Sequence, residues 1–397
     1  MTLLNENRIQ YLVGQDIDIN NVNTFVPFDE RIIDFLDILS KNLFLDENAK
    51  KYSDVVTFAF YIRKSNMLKI KKKLLYNVDN YILRGRGITF HIAPSNVPVN
   101  FAYSLITSLI CGNANIVKVS SKDFAQVNII CDAIKKTLDK FLDLKSYINI
   151  VRYLNEKSIN DYFSSICDVR VIWGGDKTIN LIRESTLKPR AREIAFADRY
   201  SLLIIDTNYY NKLDNETKKR IALSFYNDTF LSDQNACTSP RLICFLGHSS
   251  EKFYEYALNV VRQKYDLKEI MASNKLLDVV SFVIKYNYLC PKLIKANNEN
   301  YIYRIVVNKL MKELIDFQGN CGTFVECVIN DINDLVPICD NEKVQTISYV
   351  GDNNLFDSLL NLKGIDRIVP IGKTMDFDMI WDGYNLFELF TRRINIY

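Results

Sequence analysis

Cys237 stands in DQNACTSPR, residues 233–241, and is the side chain best suited to nucleophilic chemistry. Cysteine attacks as its thiolate, which needs hydrogen-bond donors or positive charge around it. A polar loop offers backbone amides for that purpose, and Thr238, Ser239 and Pro240 keep the segment out of regular structure. The plainer reading of the same residues is a buried loop cysteine. A second segment, HIAPSNVPVN at 91–100, carries Asn96 just ahead of a predicted helix. Its amide is either an N-cap for that helix or a donor aimed at a ligand. A third, WGGDKTI at 173–179, puts Gly174 and Gly175 between a strand and a helix. Such a turn lets backbone amides approach a phosphate, or it is a simple tight turn. A fourth, KVSSKD at 118–123, places Lys118, Ser120 and Lys122 at the end of a predicted strand. With two Lys and two Ser hydroxyls and no acidic residue before Asp123, it could accept a phosphate. The alternative is a polar turn with its lysines in solvent. Of the two histidines, His91 lies within a predicted strand and reads as a satisfied core or rim residue rather than a base, and His248, at a strand exit, as a polar residue entering a helix. A Cys-His or Ser-His pair would need one of them beside the nucleophile.

The elements that must position these residues alternate between strand and helix. Strands are predicted at 87–94, 115–120, 148–153 and 169–175, with helices at 99–112, 123–141 and 178–184. Gly112 closes the first of these helices. The alternation predicts an α/β fold with a doubly wound parallel sheet. Before it, the first 85 residues read as helices, with ERIIDFLDILSKNLF at 30–44 the clearest and LKIKKK at 68–73 a solvated charged face. After it come strands at 201–206, 241–247, 322–329 and 344–351 and helices at 217–231 and 250–265. The polar stretch 207–213 is the expected boundary. It gives an N-terminal cofactor-binding domain over 1–207, a domain carrying the nucleophile over 208–375, and a C-terminal segment, 376–397, returning to the cleft.

Composition narrows the function. Fifty basic against 47 acidic residues leave a net charge of +3, which gives no reason to expect nucleic acid as partner. No apolar run approaches the ~18 residues of a membrane span, and no secretory leader pattern opens the chain. The nine cysteines are scattered singly with no CxxC pair, so neither a metal site nor a disulfide framework is expected. These features predict a cytoplasmic protein without a metal.

Taken in order, GRGITFHIAPSNVP (85–98), CGNANIVKVS (111–120), VIWGGDKTI (171–179), FADRYSLLIID (196–206) and NDTFLSDQNACTSPR (227–241) resemble the aldehyde dehydrogenase superfamily. Weaker similarity continues through GTFVEC (322–327), VQTISYVG (344–351) and WDGYN (381–385). The nearest branch is that of the acyl-CoA reductases typified by the LuxC fatty acid reductase of bacterial luminescence. The resemblance implies a Rossmann-type cofactor domain and an α/β catalytic domain with a substrate tunnel between them. It matches Cys237 to the nucleophile and Asn96 to the side-chain amide of the oxyanion hole. It matches Lys118 to the lysine at the adenosine ribose, and Gly174 and Gly175 to the turn beside the pyrophosphate. Two departures stand out. The position two before the nucleophile, Gln in many relatives, is Asn235 here, with Gln234 one further back. The Glu that activates water in hydrolytic relatives has no clear counterpart, Glu193 being nearby but out of alignment.

The expected activity is therefore reduction of an acyl-CoA or carrier-bound acyl thioester to an aldehyde through a Cys237 acyl-enzyme. NADPH is the expected cofactor, with NADH as the alternative. An acyl-transferring protein and a second copy of the chain are the further partners the resemblance brings. An aldehyde-oxidising dehydrogenase and an inactive scaffold are the competing readings.

Overall fold

The computed structural model describes residues 8–15, 22–75 and 81–396 and divides into two units. One runs to Ala197 and takes in Asp378 onward; the other is Asp198–Phe377.

The first unit is built on a six-stranded sheet, in spatial order Gln10–Val13, Ile148–Arg152, Ala114–Lys118, Ile88–Ile92, Val169–Trp173 and Arg192–Phe196. All neighbours are parallel except the first pair. Ile88–Ile92 is buried along its whole length, as a central strand covered on both faces must be. Strand order reverses beside it: the chain moves from Ile88–Ile92 to Ala114–Lys118 on one side, then returns to Val169–Trp173 on the other. The carboxyl ends of Ile88–Ile92 and Val169–Trp173 thus flank a topological switch point, the place where open α/β sheets bind ligands. Helix Asn100–Leu109 ends three residues earlier than Gly112, yet the glycine is needed. Its φ is +90°, and a Cβ there would come within 2.3 Å of the Phe25 carbonyl oxygen.

The helical reading of the first 85 residues holds for Glu30–Leu45, Ser53–Tyr61 and Lys64–Leu74 but not at either end. Gln10–Val13 is an edge strand, and Tyr81–Gly85 pairs antiparallel with Thr391–Asn395 from the C-terminal segment. Both are short and owe their form to partners more than a hundred residues away, which local periodicity does not register. The lysine run lies on the helix Lys64–Leu74, with Lys69, Lys72 and Lys73 exposed.

The second unit has a seven-stranded sheet in the order Lys292–Lys295, Tyr303–Val306, Thr323–Ile329, Pro240–Leu246, Tyr200–Asp206, Val344–Val350 and Arg367–Pro370. Only the first pair is antiparallel. Tyr200–Asp206, which the sequence places at the end of the N-terminal domain, is a central strand of this sheet. Aromatic and aliphatic side chains fill both faces, among them Phe225, Phe230, Phe253 and Phe324 on one and Phe282, Tyr303 and Leu314 on the other. Charged side chains are buried here too, among them Arg304, whose guanidinium lies between Glu326 and Glu251, at 2.8 and 2.7 Å. Among the described residues no helix is long and apolar enough to cross a membrane.

Candidate active site

Cys237 sits in the loop between the short turn Phe230–Ser232 and the strand Pro240–Leu246. Asp233 and Gln234 both take positive φ, 50° and 60°, turning the chain sharply four residues ahead of the thiol. Gln234 makes that turn durable. Its side chain is fully buried and joins two stretches of backbone 88 residues apart. Its Nε2 donates to the carbonyls of Pro240 (2.8 Å) and Thr323 (3.2 Å), and its Oε1 accepts from the amides of Gly322 (3.0 Å) and Thr323 (3.2 Å).

Around this anchor the loop is fastened from every side. Ser201 Oγ donates to the Cys237 carbonyl at 2.7 Å, and the Cys321 amide donates to the Asp233 carbonyl at 3.1 Å. Tyr265 Oη donates to Asp233 Oδ1 at 2.7 Å, and Thr238 Oγ1 to Met375 Sδ at 3.2 Å. Buried Arg241 reaches back from the strand to the carbonyls of Gln234, Ala236 and Ser239, at 3.1, 3.4 and 3.5 Å. The segment bearing Met375 is held in turn by Asp228, which accepts from the amides of Gly372 (2.6 Å) and Thr374 (3.2 Å). Burial pushes the Asp228 carboxyl up to about 6.

The nine thiols divide by environment. Cys111, Cys131, Cys167, Cys244, Cys327 and Cys339 are buried, and desolvation pushes their thiols up, to about 11 for Cys327 and about 12 for Cys131, Cys167 and Cys339. Cys237 and Cys321 are half-buried and Cys290 is exposed. Cys321 lies against Tyr265 and the buried Lys275, and burial is the main cause raising its thiol.

In the other unit, the residues singled out in the sequence gather at the carboxyl ends of the sheet. Asn96 is exposed on the loop after Ile88–Ile92; helix Asn100–Leu109 has Val99, not Asn96, as its N-cap. Lys118 ends its strand with Nζ donating to Asn155 Oδ1 at 3.1 Å and 4.9 Å from the centre of the Tyr153 ring, and partial burial lowers its pKa. Ser120 Oγ accepts from the Lys122 amide at 3.1 Å, so it shapes the turn, while the Lys122 side chain is exposed. Beside them Ser121, Arg152, Tyr153 and Leu154 line a cavity of about 300 Å³ together with Arg8–Gln10. Gly174 and Gly175 follow Trp173, and Gly175 is the N-cap of helix Asp176–Arg183. At Gly174 a Cβ would crowd Thr178 at 3.1 Å, so the bare backbone leaves that strand end open to approach. The backbone amides after Trp173 and the Lys118 ammonium are the groups at this end of the sheet that could hold a dinucleotide, the first by its phosphates and the second by its adenosine ribose.

Two residues weighed for acid–base chemistry are committed elsewhere. His91 is wholly buried, with Nδ1 2.8 Å from Ser104 Oγ and Nε2 3.0 Å from Asn115 Oδ1. Asn115 spends its amide hydrogens on the Asn113 and Tyr147 carbonyls, so its Oδ1 accepts and the imidazole carries its proton on Nε2. Burial lowers its pKa to about 4. Glu193 is gripped by Arg170 (2.5 Å) and Arg183 (2.7 Å).

The architecture is that of the aldehyde dehydrogenases. Superposition on lactaldehyde dehydrogenase gives a TM-score of 0.64 over 94% of this chain and 87% of that one, at 12% identity. Superposition on 3,6-anhydro-L-galactose dehydrogenase in complex with NAP gives 0.62 over 99% and 96%, at 11% identity. Within that class the chain belongs to the acyl-CoA reductase (LuxC) family, whose model matches residues 68–393. It is similar to the long-chain acyl-protein thioester reductases of Photorhabdus laumondii (24% identity over 72% of this chain) and Photobacterium phosphoreum (21% over 93%). The matched stretch spans 58% of the Photorhabdus protein and 79% of the Photobacterium one. The sequence resemblance to this family and the α/β aldehyde dehydrogenase-like fold are both borne out.

Sequence reasoning passed over Gln234 and Arg241. Gln234 was visible only as a motif letter displaced by one position; its partners lie at 322–323. Arg241 read as an ordinary strand residue.

Proposed function

We propose that this protein reduces an acyl thioester, on CoA or on a carrier protein, to the aldehyde by way of an acyl group on Cys237. The observation that carries the reading is the setting of Cys237: a half-buried thiol on a loop pinned by Gln234, Ser201 and Arg241, in a chain of the acyl-CoA reductase family. In this reading the Cys237 sulfur attacks the thioester carbonyl, and the leaving thiolate departs and takes a proton. The oxyanion formed in that step would receive the Cys237 backbone N–H, and the family resemblance assigns Asn96 as the side-chain amide donor, a donor of this kind being worth roughly 3–4 kcal/mol. When bound, the reduced nicotinamide would supply the hydride that converts the acyl group to the alkoxide of a hemithioacetal. Breaking its C–S bond releases the aldehyde and returns the Cys237 thiolate. Lys118, Ser120 and Lys122 would hold the adenosine ribose, and the amides after Trp173, at Gly174 and Gly175, the pyrophosphate. The cationic edge supports NADPH.

Glu193 supports reduction over hydrolysis, since both of its carboxylate oxygens are engaged by arginines. The test is turnover of a panel of acyl-CoAs with NADPH, identifying the product. Aldehyde formation by the wild type and its loss in Cys237→Ser is the expected result. Aldehyde formed at the wild-type rate by the serine variant would dismiss the mechanism.

A further inference from the structure

Arg241 is almost completely buried, and among the described residues no carboxylate is bonded to it. Its three hydrogen bonds all go to carbonyls of the Cys237 loop, and its Nε is buried with no partner. A cation taken out of water and met only by neutral dipoles is costly, and removing a counter-ion from a buried pair is more costly than removing the pair. Such a charge is usually compensated nearby. Burial lowers the guanidinium's pKa, and the strongest influence opposing it is the Cys237 side chain, ahead of Tyr200 and Asp198.

We infer that the Arg241 guanidinium is the counter-ion of the Cys237 thiolate, holding the nucleophile ionised before substrate arrives. This deepens the reading of Cys237 as nucleophile and rests on it. The geometry is suited to the task. The guanidinium bonds the carbonyls of Ala236 and Ser239, on either side of Cys237, so the positive charge is fixed at the loop and cannot swing to solvent. Among the described residues no other side chain takes that place. Tyr200 is kept in its neutral form by burial, and Asp198 is exposed. Asp233 is bonded by Tyr265, and Asp228 is spent on the amides of Gly372 and Thr374. Lys275, the other buried cation of this region, gives its hydrogens to the carbonyls of Asn300 and Tyr301 and faces Cys321. An arginine suits this work better than lysine because it stays charged when desolvated.

The experiment is the pH dependence of Cys237 alkylation by iodoacetamide in the full chain without cofactor, with the modified peptide identified by mass spectrometry. In the wild type the midpoint falls below the ordinary thiol value of about 8.5. Arg241→Met raises that midpoint by about one unit, a roughly tenfold loss of rate at neutral pH, and leaves the rate at pH 10 within about twofold. A purely structural role predicts an unchanged midpoint in Arg241→Met, or a wild-type midpoint of about 8.5, and either result overturns the inference. Should Arg241→Met not fold, Cys237→Ser carries the test. A thiol whose folded pKa is depressed stabilises the fold above that pKa and loses the effect as pH falls through it. The melting-temperature gap between wild type and Cys237→Ser must then widen from pH 6 to pH 9; a constant gap refutes the pairing. Acylation of the wild type by acyl-CoA, read by intact mass, reports separately on Cys237 as nucleophile.

Discussion

Replacing Gln234 by alanine should unfasten the nucleophile loop from the strand Thr323–Ile329. The side chain makes four hydrogen bonds at 2.8–3.2 Å, all to backbone and all buried. At about 1 kcal/mol net for each bond, the loss is about 4 kcal/mol. Cavity formation adds to that figure and relaxation of the loop subtracts from it. Gln234→Glu is isosteric but cannot donate to Pro240 and Thr323 and brings a charge into a dry site, so it should be no better at neutral pH. Urea unfolding followed by far-UV circular dichroism gives the stability change. Hydrogen exchange at Gly322 and Thr323 locates it, since those amides lose their acceptor. A loss below about 1 kcal/mol, with unchanged protection at both amides, would refute the idea that Gln234 joins the two segments.

Other consequences follow from the buried charges. His91 has its pKa lowered to about 4 by burial, so the folded state holds fewer protons than the unfolded chain. Stability is unaffected above about pH 6.5 and falls progressively toward pH 4, by roughly 3 kcal/mol in all, and the His91 imidazole resonances followed by NMR should show no titration near 6.5. Arg304→Met leaves Glu326 buried without its partner and should cost about 3–5 kcal/mol, whereas Arg304→Met with Glu326→Leu should recover much of it in thermal melts. On the cofactor, kcat/KM at one acyl substrate should favour NADPH over NADH, and Lys122→Ala should erode that preference through the NADPH KM; equal values for the two cofactors would remove the assignment.

Much of this was legible in the sequence, for identifiable reasons. Ile88–Ile92, Ala114–Lys118 and Val169–Trp173 are apolar runs beside glycine-marked turns, and their alternation with helices predicts the parallel sheet. Edge strands such as Gln10–Val13 escape because half of what makes them strands is a partner elsewhere. Helix Glu269–Lys285 escapes because Ile270, Leu277 and Ile284 point outward and blur its periodicity. Cys237 was recognisable from its loop composition and from the resemblance. What clamps it was not: Gln234 bonds 322–323, Ser201 donates from the neighbouring strand, and Arg241 turns back toward the loop. His91 read as a core or rim residue, and the bonds to Ser104 and Asn115 bear that out.

The central claim is that an acyl group passes through Cys237. Mixing the protein with a long-chain acyl-CoA in the absence of reductant and recording the intact mass tests it directly. The account predicts one acyl adduct, mapped to Cys237, labile to hydroxylamine and discharged as aldehyde when NADPH is added. An adduct on another cysteine, or an adduct on Cys237 that persists through NADPH turnover while aldehyde accumulates, would contradict it.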